Sequence, residues 1–226
     1  MIAIHSEWHS GTVTIDATRS PVRRRPVQRR SLARFERILD AAAELLDESG
    51  YAALTTREAA RRADVPIGTL YQFFPSKDGL VGALAERNLE RYLERLSRRM
   101  EAEHPSDVAA LVDVAVEEFV TMKRSVAGFG VLDFGLVGPP GTHTEQHILD
   151  GVLDNNAAVA ERLRALTAGL LTDGERVESP LALRVAMECA DAVLQLAFRV
   201  APDGDPALIT ECKRVLRRYL APGREL

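Results

Sequence analysis

The chain has 226 residues, room for one ordinary domain or for a small module joined to a larger one. Its 46% apolar and 27% charged residues are near the globular average, and its 15 glycines and 11 prolines follow no period, which excludes wholesale disorder, collagen-like and repeat architectures. A net charge of −4 argues by itself against a nucleic-acid partner, yet residues 19–77 carry 12 Lys/Arg and 7 Asp/Glu, a net of +5 that leaves −9 for the rest.

Residues 1–30 have no apolar periodicity. Arg23, Arg24 and Arg25 stand between Pro21 and Pro26, which disfavour helix, so the segment reads as a flexible basic arm. Two roles are open to it: a solubilising tail, or an arm that contacts DNA. No apolar core follows the basic residues, so a secretion signal is not expected. No stretch approaches the roughly 18 apolar residues of a membrane span. Cys189 and Cys212 make neither a disulfide framework nor a metal-ligand spacing, and a reducing cytoplasm is the expected compartment.

Ser31 opens a helix whose Phe35, Ile38, Leu39, Ala42, Leu45 and Leu46 share one face, with Gly50 as its stop. A short second helix follows Leu54. Thr55 or Thr56 caps it, and Glu58, three residues after Thr55, completes a capping box. In Ala63-Asp64-Val65-Pro66, Asp64 is the residue suited to a left-handed conformation and Pro66 to the first position of the next helix. That third helix runs from Ile67 to Phe73. Two short helices joined by such a turn form a helix-turn-helix.

Ser76 starts a long helix with a seam of Leu89, Leu93, Leu96 and Met100, ended by His104-Pro105. Beyond it the pattern stays helical, without a strand signal. Helix 107–124 has only a narrow polar stripe of Asp113, Glu117, Thr121 and Arg124. Helix 181–200 has a similar stripe of Arg184, Glu188, Asp191, Gln195 and Arg199. Helices apolar on nearly every side need cover on nearly every side, which a body of this size cannot supply alone. A subunit interface through 181–200 and the final helix, 206–220, is therefore expected.

The run Gly68-Thr69-Leu70-Tyr71-Gln72-Phe73-Phe74-Pro75-Ser76-Lys77-Asp78-Gly79-Leu80, preceded by Leu54-Thr55-Thr56 and Ala63-Asp64-Val65, resembles the DNA-binding domain of TetR-family transcriptional repressors over roughly residues 31–85. Beyond that the likeness is in helix count and length. The resemblance implies an all-α fold: a three-helix helix-turn-helix head on a helical body that binds a ligand and dimerises. The expected division is arm 1–30, head 31–77 and body 78–226. Three positions depart from the family pattern: Asp64 where Gly is usual, Pro66 where a capping Ser is usual, and Ala59 where a larger apolar residue is common.

In such a head the third helix enters the major groove of double-stranded DNA with its first turns nearest the base edges. Here those turns carry Ile67, Gly68, Thr69, Tyr71 and Gln72. Gly68 lets the backbone approach DNA. Thr69 suits a phosphate or a thymine methyl, and Gln72 suits a bidentate pair with adenine. The resemblance directs the Tyr71 hydroxyl to a phosphate. Lys77 lies in the first turn of a helix, where its charge opposes the dipole and a phosphate would offset the cost. Thr55, Thr56 and Arg57 are expected to position the duplex backbone. The expected function is a repressor that binds a palindromic operator as a homodimer and is released by a small, largely apolar effector.

For the effector pocket the candidates are Phe119, Met122, Phe129, Phe134 and Asn156. The glycine-rich stretch 126–142 suits a pocket wall or an irregular packed connection, and Asn156 suits a ligand or a bond between helices. No catalytic residue, metal site or cofactor is expected. His143 and His147, spaced as on one helix face, offer an alternative metal-dependent enzyme, without the zinc-protease motif. A helical adaptor for another protein is a further alternative, although it leaves the run from Tyr71 to Lys77 unexplained.

Overall fold

The computed structural model describes residues 29–132, 160, 161, 163–165 and 179–220. Its helices are α1 (Arg29–Ala53), α2 (Thr56–Arg62), α3 (Ile67–Phe73), α4 (Lys77–Glu103), α5 (Val108–Ser125), α6 (Pro180–Val200) and α7 (Pro206–Leu220). Residues 160, 161 and 163–165 are helical as well, and no strand occurs among the described residues.

The head follows its sequence closely. All six residues of the expected α1 face are buried, although the helix begins at Arg29 rather than Ser31. Gly50 adopts φ 73 and kinks the chain, after which one more turn carries Tyr51 inward. Thr55 caps α2 by accepting the Glu58 N–H at 3.1 Å. The side-chain half of the capping box is replaced, because the Glu58 carboxylate accepts instead from Arg61 at 2.9 Å. Asp64 has φ 52, as the turn requires. Pro66 is not the first helical residue of α3. It occupies the cap, and its carbonyl accepts the Thr69 N–H at 2.8 Å.

Phe35 stacks on Phe74 at 4.9 Å and meets the edge of Phe73 at 5.7 Å, which fixes the exit of α3 against α1. Ala59 is fully buried in this core, so its small side chain is used for close packing of α2. Arg62 ties α2 to Glu44 and Glu48 of α1, and Arg87 ties α4 to Glu36 and Asp40.

The apolar interior has two parts. The first joins α1, α2, α3 and α4 as far as Ala85, and it includes Leu132. The second begins on α4 at Leu89 and gathers residues of α5, α6, α7 and Leu163. The first core thus continues past the boundary expected at 77/78. In residues 126–132, after α5, Gly128 and Leu132 meet the head, while Phe129 lies in the second core. Asp47 Oδ2 accepts the Gly128 N–H at 2.9 Å, and Asn88 Nδ2 donates to the Leu132 carbonyl at 2.8 Å. Gly128 has φ 75, and a Cβ on it would stand 2.8 Å from the Ala43 Cα.

On α5 two members of the polar stripe, Asp113 and Glu117, make ion pairs. Asp113 pairs with Arg217 of α7, and Glu117 pairs with both Arg99 of α4 and Lys213 of α7. Glu118, one residue on, is buried and paired with Arg95. The Lys213 and Arg99 bonds hold the Glu117 carboxyl below its usual pKa, against an opposing push from burial. A depressed carboxylate pKa adds stability that is present above the unfolded value and lost as pH falls through the folded one. The gap in Tm between the wild type and Glu117→Gln should therefore be steady at neutral pH and close below the usual carboxylate range. An equal gap at about pH 3 and about pH 7 would show that the ion pair contributes nothing.

α6 and α7 pack as a hairpin, with Asp205 N–H donating to the Ala197 carbonyl at 3.0 Å. The outward side of α6 is apolar: Leu181, Val185, Leu196 and Val200 are exposed, with Cys189 and Ala192 exposed between them. The expected polar stripe is partly turned inward, since Glu188, Asp191 and Gln195 are half-buried and Gln195 meets Lys123 of α5 at 3.5 Å. On α7, Val215 and Tyr219 are exposed. Cys189 and Cys212 are both free thiols, and burial pushes Cys212 up to about 11. Among the described residues no helix is long and apolar enough to cross a membrane.

Candidate nucleic-acid interface

α2 and α3 bring most of the expected contact residues to one surface. Thr56 Oγ1 and the Tyr71 hydroxyl lie 3.1 Å apart, so two hydroxyls from different helices converge on one point. Tyr71 is 43% exposed although it is aromatic, and Gln72 and Arg57 are also exposed. The opposite side of α3 is the core side, with Leu70 and Phe73 buried. Thr69 is half-buried at the edge between the two. Thr55 is exposed, with its hydroxyl engaged in capping.

Gly68 has no intramolecular reason to be glycine. Its φ is ordinary, and nothing lies within 4 Å of where a Cβ would stand. A glycine in a helix costs up to about 1 kcal/mol relative to alanine, and no contact within the chain accounts for that cost at Gly68. Ile67, placed on this helix by the sequence without a role, is 40% exposed one turn before Tyr71. Leu70 and Phe73 face the core, whereas Ile67 and Tyr71, four residues apart, both reach the surface.

Lys77 is arranged differently from the expectation. Its ammonium donates to the Tyr51 carbonyl at 2.6 Å and lies 3.8 Å from the centre of the Tyr51 ring. Burial lowers its pKa, with the neighbouring Asp78 pulling the other way. Tyr51 itself is pushed up to about 12, first by burial and then by Asp78, to which its hydroxyl donates at 3.1 Å. The cation that was expected at a phosphate therefore closes the junction of α1 and α4. Arg61 and Arg62 are likewise engaged, with Glu58 and with Glu44 and Glu48.

Of the candidate pocket residues, Phe119, Met122 and Phe129 belong to one buried cluster, with the two rings edge to face at 5.5 Å. All three are buried in the second core, and a groove of about 570 Å³ lies elsewhere, against Arg99, Glu117, Thr121, Arg124 and Thr210. Arg23, Arg24, Arg25, Phe134, His143, His147 and Asn156 lie outside the described residues. No group of three potential metal ligands occurs among the described ones.

Two short helices at the end of a longer one, with an exposed glycine and two convergent hydroxyls, define a helix-turn-helix protein of the DNA-binding regulator class. Residues 38–84 match the family model for bacterial regulatory proteins of the tetR family, and residues 106–223 match that for the tetracyclin repressor-like C-terminal domain. The chain belongs to the TetR family of transcriptional regulators. It is similar to a crystal structure of a TetR-family transcriptional regulator from Streptomyces coelicolor, with 43% identity, 83% of this chain and 97% of that one covered, and a TM-score of 0.68. It is also similar to the transcriptional repressor KstR of Rhodococcus jostii, 48% identical over 58 residues, 26% of this chain and 27% of that protein. The regulator HbdR of Aromatoleum is 27% identical over 147 residues, 60% of this chain and 58% of its own length. The chain thus aligns with about a quarter of KstR, within the head.

Proposed function

We propose that this regulator binds a palindromic operator as a homodimer, represses transcription there, and is released by a small effector taken up in the body. The observation that carries the DNA part is the outward surface of α3, where Gly68, Tyr71 and Gln72 stand free of the core beside Thr56. In this reading Gly68 allows close approach and Gln72 reads a base edge. Thr56 and Tyr71 grip one phosphate, while Thr55, Thr69 and Arg57 position the backbone. Lys77 joins them by exchanging the Tyr51 carbonyl for a phosphate oxygen. The arm, with Arg23, Arg24 and Arg25, adds charge near the duplex, and a DNA partner sets the compartment as the cytoplasm.

The dimer reading is supported by the apolar outer side of α6. Its small residues, Cys189 and Ala192, stand midway between the larger Leu181, Val185, Leu196 and Val200, which suits two copies of α6 crossing near their centres. Val215 and Tyr219 of α7 are exposed as well. The effector is proposed to be largely apolar and to part Phe119, Met122 and Phe129, with Phe134 and Asn156 in the same site. It acts only if it binds one spacing of the two heads better than the other.

The test is selection of duplexes from a random pool by the full chain, with mass measured in solution. An inverted repeat bound by two chains is expected. A monomer, or the absence of any selected sequence, would favour the protein adaptor instead. Binding should weaken steeply with salt, and removal of residues 1–28 should flatten that slope. An unchanged slope would reduce the arm to a tail.

A further inference from the structure

We infer that Ile67 is a specificity-determining residue: its side chain docks on the 5-methyl group of a thymine in the major groove and fixes the base at one position of each half-site. The inference rests on the DNA-binding reading above and goes beyond it, to a particular base.

Three observations carry it. First, the exposed large hydrophobic residues among the described part of the head are Leu32, Ile67 and Tyr71, and the last two are one turn apart on the same side of α3. Second, Leu70 and Phe73 face the core, whereas Ile67 keeps 40% of its surface outside it, available to a partner. Third, Gly68 beside it has open space where a Cβ would be, so a partner can come down to the backbone and enclose the isoleucine. In the major groove each base pair edge presents donors and acceptors, and the thymine methyl is the apolar group among them. Isoleucine has neither donor nor acceptor. Against any other base edge it would strip water from a polar atom and return no hydrogen bond. Against thymine it covers a methyl.

The experiment uses the full chain and the duplex that it selects from a random pool. Each thymine is replaced in turn by deoxyuridine, which deletes the methyl and leaves the pairing. At one thymine per half-site the wild type should bind about fourfold more weakly, the ratio that corresponds to one buried methyl. Ile67→Ala should lose that sensitivity while keeping the response to changes at other positions. Ile67→Val, which retains a branched apolar surface, should keep part of it. Both variants change an exposed side chain, and an unchanged melting temperature will verify the fold. The inference is overturned if no deoxyuridine weakens wild-type binding, or if Ile67→Ala remains as sensitive at the same thymine. A wild type that selects no duplex overturns the regulator reading itself and this inference with it.

Discussion

Gly128→Ala is expected to lower the stability of the protein by about 2–5 kcal/mol, a large effect for the addition of one methyl group. Two costs combine. The residue has φ 75, a left-handed conformation that costs an L-residue with a side chain roughly 1–2 kcal/mol. The new Cβ would also fall 2.8 Å from the Ala43 Cα and 2.9 Å from its Cβ. Ala43 is on α1 and its Cα cannot swing away, so either the helix or the loop must move, at about 1–3 kcal/mol for an overpacked site. Relief by the loop would break the bond from Gly128 N–H to Asp47 and lift Leu132 from the first core. Denaturant unfolding measures the loss. A variant within about 0.5 kcal/mol of the wild type would show that residues 126–132 do not dock on the head as described.

Gly68→Ala should move two properties in opposite directions. With nothing within 4 Å of the new methyl and an ordinary φ, the exchange removes a glycine from a helix and should stabilise the head, by up to about 1 kcal/mol. In the proposed function, the same methyl stands on the surface offered to the duplex. Displacing the helix from the groove by its radius would loosen the contacts of Gln72 and Tyr71. A lost bidentate pair is worth about 1–3 kcal/mol, so affinity for the selected duplex should fall about fivefold or more. Melting and binding curves on one preparation check both. A more stable variant with unaltered affinity would remove the close approach, and with it the main reason for assigning α3 to DNA.

The parts of this molecule that were legible in the sequence are those whose cause is local. The Thr55 cap, the left-handed Asp64 and the apolar side of α1 each follow from residues within one or two turns, and each stands where it was expected. The helix-turn-helix was legible for the same reason. Contacts between residues far apart in the chain were not. Asp47 meets Gly128, and Asn88 meets Leu132, across spans that no periodicity encodes. The glycine-rich stretch after α5 suggested a pocket wall or a packed connection, and its first part, 126–132, is packed between the two cores, with Leu132 in the first and Phe129 in the second. Glu118 was hidden by its neighbour. Glu117 belongs to the polar stripe, but one residue further the helix has rotated by about 100°, and the second carboxylate is buried against Arg95.

Lys77 was expected at a phosphate, and in the free chain its ammonium is held by the Tyr51 carbonyl. A cation in the first turn of a helix needs an acceptor, and a phosphate and a backbone carbonyl both qualify. The choice of the Tyr51 carbonyl depends on the Gly50 kink bringing Tyr51 beneath α4, which is a tertiary fact. Ile67 is a second case. Its position on α3 was plain from the sequence, but its exposure beside Tyr71 is a tertiary fact.

The division of the interior along α4 has a mechanical corollary. One core ends at Ala85 and the other begins at Leu89. The turn between them is itself pinned, by Arg87 to α1 and by Asn88 to the Leu132 carbonyl. The shaft has no slack, so rotational phase is shared by the two halves. A single residue inserted at 86–88 would turn one half against the other by about 100°, whereas four would nearly restore their alignment and merely lengthen the stalk.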